Sequence, residues 1–162
     1  MIKHNFEDIA VNKDLHLEKF LADMPVVHSD GKADAYDNDF YVDAYIPNPE
    51  VENEIFERAY GHMNSEKIEN LRNCRKDFQI NLSEPGSGLE VVGINCFVYA
   101  EEGRYCASAN LSDDEKRTLL NHIAEEIPAS RQHVDYELSH IDARSAEREN
   151  SSPKKSQWSY EY

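Results

Sequence analysis

Basic residues are what this chain is short of: 17 Lys and Arg face 32 Asp and Glu over 162 residues, a formal net charge of −15. A body of that sign repels phosphate polymers and anionic lipid. Direct binding to nucleic acid or to a membrane is therefore the least expected use of its surface, while docking on a basic protein is favoured. Cysteine is scarce and odd in number. Cys74, Cys96 and Cys106 suit reduced thiols in a cytoplasm better than a disulfide framework. Long apolar runs are missing as well: Met1-Ile2-Lys3-His4 lacks the apolar stretch of a signal peptide, and no window is long enough to span a bilayer. The expectation is a soluble, cytoplasmic protein.

Glycine is sparse too, and its six copies are scattered. No Gly-rich turn opens a helix to cradle phosphate, since Gly86-Ser87-Gly88 lies between strand-like segments. Gly-x-Ser-x-Gly, His-Glu-x-x-His and Cys-x-x-Cys are absent, which removes common signatures of hydrolases, zinc peptidases and thiol redox sites. Among the seven histidines, His122 lies near Glu125 and Glu126 on a helix but not at ligand spacing. His133 and His140 flank a strand-like segment, which would send them to opposite faces. The acids Asp30, Asp34, Asp37 and Asp39 lack the central glycine and closing glutamate of a calcium loop. Cys96 and Cys106 fall in apolar strands, where a thiolate is disfavoured and packing is the simpler role. The sequence assigns no catalytic residue, no metal site and no cofactor.

What is present reads as one α+β domain over residues 1–143, with a mainly antiparallel sheet of four or five strands and two to four helices packed on it. Leu15, Leu17, Phe20 and Leu21 predict a helix between Asp14 and Pro25, and Phe40 to Ile46 alternates as a strand. Asn48-Pro49 is a helix start, followed by Val51, Ile55 and Ala59 at helical spacing, and Ser65 begins a further turn or two. Phe78, Ile80 and Leu82 predict a strand joined by a turn to Leu89–Ala100. That stretch is apolar on both faces, so it is expected at the sheet centre with a layer on each side. Tyr105 to Ala109 follows as the next strand. Ser112 with Glu115 forms a capping box for a helix to Ile127, and Val134, Tyr136 and Leu138 alternate as an edge strand that offers a route to a homodimer. Residues 144–162 read as a flexible polar tail ending in Trp158, Tyr160 and Tyr162.

The acidity is clustered. Residues 25–60 hold nine acids against Lys32 and Arg58, a net of −7, and residues 101–127 hold a net of −4. A patch of this kind fits an acidic face that lies in the basic nucleic-acid groove of another protein. In composition the chain resembles small acidic inhibitors encoded by phages and mobile elements, which place carboxylates where phosphates would sit. The contact residues expected on this reading are Asp37, Asp39 and Asp43, from loop and strand, with Glu50, Glu54 and Glu57 on one helix face. The partner would be a basic, nucleic-acid-processing enzyme. Two other classes stay open: a structural or assembly subunit whose acidity serves solubility, and a small hydrolase or nucleotide-modifying enzyme with a dispersed His and carboxylate site. A concave pocket with converging polar groups would favour the enzyme, and a flat acidic face the interaction protein.

Overall fold

The computed structural model describes residues 6–24, 38–84 and 88–158. Five strands, β1 (Ala10–Val11), β2 (Asn38–Tyr45), β3 (Arg75–Glu84), β4 (Glu90–Ala100) and β5 (Gly103–Ala109), form one antiparallel sheet in the order β1-β2-β3-β4-β5. Five helices accompany it: α1 (Leu15–Asp23), α2 (Pro49–Tyr60), α3 (Ser65–Arg72), α4 (Asp113–Glu126) and α5 (Arg131–Trp158). The α+β architecture expected from sequence is present, with one helix more than expected. No helix among the described residues is long and apolar enough to cross a membrane.

Helix starts are set by side chains that accept from amides left free in a first turn. Asp14 accepts from His16 and Leu17 at 2.9 and 3.0 Å. Asn48 accepts from Glu50 at 2.9 Å, with Pro49 in the first helical position where no donor is needed. Ser112 and Glu115 complete a capping box at α4, the two bonds measuring 3.2 and 2.8 Å.

The strand register sorts residues onto two faces. Val42, Ile80, Ile94 and Ala109 line up across four strands, as do Ala44, Phe78, Cys96 and Ala107, and this face is covered. Val51, Ile55, Phe56 and Tyr60 of α2 close it on one side, with the Tyr60 hydroxyl donating to the Cys96 carbonyl at 2.6 Å. Leu119, Leu120 and Ile123 of α4, with Val134 and Ile141 of α5, extend the same core. Among the described residues no helix packs on the opposite face.

Two expectations are corrected here. β4 is not central and has no layer on each side: β3 is the middle strand, and the second face of β4 meets solvent. Its apolar look arises because Val92 is the extra residue of a bulge opposite Asn81 and Leu82, while Phe97 and Tyr99 lie under arginine guanidinium groups instead of a helix. The strand expected at Val134–Leu138 lies inside α5. Its buried positions, His133, Val134 and Ile141, fall at helical spacing, but the first is polar, so hydrophobicity alone showed only a three-residue alternation. His133 and His140 consequently share a helix, and no edge strand exists at Val134 to support the homodimer route. The backbone of α5 runs on as helix from residue 144, where the sequence reading begins a tail, to Trp158. Tyr160 and Tyr162 lie outside the described residues.

Gly93 stands beside the end of β5, and a Cβ there would lie 2.8 Å from the Ala109 carbonyl oxygen. Backbone cannot swing aside as a flexible side chain can. Gly93→Ala is expected to lower stability by about 1–3 kcal/mol in urea unfolding, and an unchanged midpoint would show that the sheet yields there freely.

Candidate interaction face

The uncovered side of the sheet is assembled from alternate residues of four strands. On β2 these are Asp39, Tyr41, Asp43 and Tyr45, and both tyrosines are more than half exposed, at 51% and 63%. Across the strands runs a polar row. Gln79 donates to Asp43 at 3.2 Å, Gln79 stands opposite Asn95, and the Ser108 hydroxyl donates to Asn95. At the far end Arg75 lies over Tyr99 at 4.2 Å and Arg104 over Phe97 at 5.1 Å, while Tyr99 donates to Asp77 at 2.9 Å. The face therefore grades from tyrosine and aspartate on β2 to arginine and aromatic rings on β3 to β5. A groove of about 480 Å³ lies at the end of the sheet, lined by Asp43, Tyr45, Asp77 and Arg104 from the open face and by Glu52 and Phe78 from the covered side.

The six acids singled out from sequence do not lie together. Asp37 falls outside the described residues. Asp39 and Asp43 point from the open face, whereas Glu50, Glu54 and Glu57 belong to a helix packed on the other face. Glu54 and Glu57 are engaged within the fold. Glu54 pairs with Arg58, which also holds Glu115 through two bonds of 2.8 and 2.7 Å, and Glu57 pairs with Arg72 of α3. Burial pushes the Glu115 carboxyl up, but the Arg58 guanidinium and the Ser112 amide outweigh it and hold the group below its ordinary value. The sequence alternation sets Tyr41, Asp43 and Tyr45 on the solvent face of this strand, as found, and its period of two adds Asp39 to them, though neither tyrosine is among the six contact residues expected from sequence.

A histidine and a carboxylate do meet, but not as a reaction centre. His133 Nδ1 lies 2.6 Å from Glu84 Oε2 and His133 Nε2 lies 2.9 Å from the Met24 carbonyl oxygen, with both side chains almost wholly buried. The second Glu84 oxygen accepts from the Gly88 amide at 3.3 Å. Both ring nitrogens face acceptors, an arrangement that favours the doubly protonated, cationic imidazole and raises its pKa. No nitrogen is left for a substrate. The pair instead ties the end of α1, the end of β3 and the start of α5 to one point. Sequence gave no signal for it, since the two residues are 49 positions apart. Cys96 is buried and its thiol is pushed up to about 12 by that burial, in keeping with a packing role. Among the described residues no three His, Cys, Asp or Glu side chains converge to hold a metal ion. Compared with protein-family models, curated proteins and solved structures, the chain finds no match.

Two groups on α5, His133 buried and Glu137 partly buried, give stability a definite pH dependence. Burial opposes charge on His133, but Glu84 and the Met24 and Leu21 carbonyls raise its pKa above the usual 6.5. The pair's contribution is thus complete below pH 6.5 and is lost as pH climbs through the raised value. Burial, reinforced by Glu90, pushes the Glu137 carboxyl from 4.5 up to about 7, so folding is progressively penalised between those values as pH rises. Urea midpoints should fall from pH 4.5 upward. Glu137→Gln should remove the loss between 4.5 and 7, and His133→Gln should lower stability at mildly acidic pH while flattening the loss above it. Midpoints that stay level with pH would contradict both assignments.

Proposed function

We propose that this is a non-catalytic acidic interaction protein whose open sheet face docks a basic protein, in the manner of a nucleic-acid mimic. One observation carries the reading: β2 presents Tyr41 and Tyr45, exposed and alternating with Asp39 and Asp43, on a sheet face that no described helix covers. Tyrosine supplies apolar area with a polar tip at little conformational loss, and the flanking carboxylates select Lys and Arg on the partner. The overall charge of −15 steers such a partner from a distance. The dispersed His and carboxylate enzyme draws no support from the buried His133–Glu84 pair among the described residues, because both His133 nitrogens are occupied.

The contact is testable with a photo-crosslinking amino acid at Tyr41 or Tyr45, and at Leu15 of α1 as an exposed control outside the sheet. From cells of the native source, the two face positions should capture a basic nucleic-acid-binding protein that Leu15 does not. Asp39→Asn with Asp43→Asn should then slow association with that protein several-fold and flatten its salt dependence, with little change in urea stability, because exposed charges contribute little to folding. Capture that is equal at Leu15, or binding indifferent to both salt and the aspartates, would overturn the assignment and leave the acidity to solubility.

A further inference from the structure

The sheet has two ends, and they are not alike. β1 is only two residues long, a length that offers almost nothing to an incoming strand. β5 is seven residues long, ends the sheet, and has neither proline nor lysine; Arg104 is its one charged residue. Of the usual devices that blunt an edge it has that one charge, with no proline, lysine or bulge.

The register shows which backbone groups this edge offers. β4 and β5 are joined by a two-residue turn closed by the pair Ala100 and Gly103, with Gly103 at φ +147°, a conformation other residues rarely adopt. The closing pair of such a turn exchanges hydrogen bonds, and alternate pairs do so along the ladder. Gly103, Tyr105, Ala107 and Ala109 therefore bond inward to β4, and the N–H and C=O groups of Arg104, Cys106 and Ser108 point outward. Cys106 is the middle residue of the strand, and it is exposed.

Charge identifies the occupant. Two chains of −15 repel each other through most of their surface. On the open face, however, the aspartates of β2 lie three strands from the β5 edge, whereas the residues nearest that edge are Arg104, Cys106 and Ser108. On the covered side, α2 packs against β5, and its Glu54 and Glu57 are held by Arg58 and Arg72. The β5 edge thus carries no acid along its length, and Glu102 in the turn before it is held by Lys67 at 2.7 Å.

We propose that the outer edge of β5 pairs antiparallel with β5 of a second copy, about a two-fold axis at Cys106, to form a continuous ten-stranded sheet. In that register Cys106 faces its own copy, and Arg104 faces Ser108, so the arginines are not opposed. On the order of six backbone hydrogen bonds form across the axis. The two β2 strands end about 34 Å apart, several times the screening length of about 8 Å at physiological salt. The dimer then displays two acidic tyrosine strips on one extended face. This pairing stands independently of the docking assignment above.

The test uses the full chain. Light scattering over a range of micromolar concentrations should give twice the chain mass, and a short bismaleimide should link the copies through Cys106, while Cys106→Ser is not linked. Cys106→Asp and Cys106→Lys each put like charges face to face at the axis on an exposed side chain, and each should weaken the dimer about fivefold or more. An equimolar mixture of the two variants should restore it, because Asp then faces Lys. A monomer at every concentration would overturn the proposal. So would a dimer unaffected by either charge, one cross-linked through Cys74 instead, or one that the mixture fails to restore.

Discussion

Everything in this fold follows from a sheet that is covered on one side only. Val42, Ile80, Ile94 and Cys96 need a layer of helices over them, and α2, α4 and α5 supply it. Once that layer is placed, the remaining residues of each strand have only solvent or each other. They answer with cross-strand polar bonds such as Gln79 to Asp43 and with arginines laid on rings, Arg75 on Tyr99 and Arg104 on Phe97. A chain with few cations thus spends several of its arginines on intramolecular partners: Arg58 on Glu54 and Glu115, Arg72 on Glu57, Arg117 on Asp114 and Asp142. The acids left without such a partner weigh more heavily in the field around the molecule, and Asp39 and Asp43 reach solvent from the open face.

The elements legible from sequence were those whose signals are local. Asp14, Asn48 and Ser112 announce helices because a capping side chain acts within three residues of itself. Alternation at Phe40 to Ile46 and at Phe78 to Leu82 was equally plain. The failures share a cause, which is that a polar or aromatic residue took a position that hydrophobic patterning assigns differently. His133 is buried because Glu84, far away in sequence, neutralises it, so a helix read as a short strand. Phe97 and Tyr99 are aromatic on an open face because guanidinium groups cover them, so β4 read as a doubly buried strand.

The candidate site was legible in half. The period of two identifies Asp39 and Asp43 as sharing a face, and the clustering of charge drew attention to β2. It could not show that Glu54 and Glu57 are committed to Arg58 and Arg72, since those arginines reach them across helices whose packing no local pattern records. Nor does spacing along one helix tell which side of the sheet that helix lies on.

The His133–Glu84 pair also bears on the order in which the chain can become native. Its three anchoring points, Met24, Glu84 and His133, span more than a hundred positions of sequence. While the protein is being synthesised, β3 and β4 leave the ribosome with the Glu84 carboxylate awaiting a counter-charge that comes only with the start of α5. The hairpins can form early, but burial of that carboxylate is deferred until most of the chain is made. The end of α1, the end of β3 and the start of α5 should therefore open and close as one cooperative unit in native-state hydrogen exchange, despite belonging to three separate stretches of sequence.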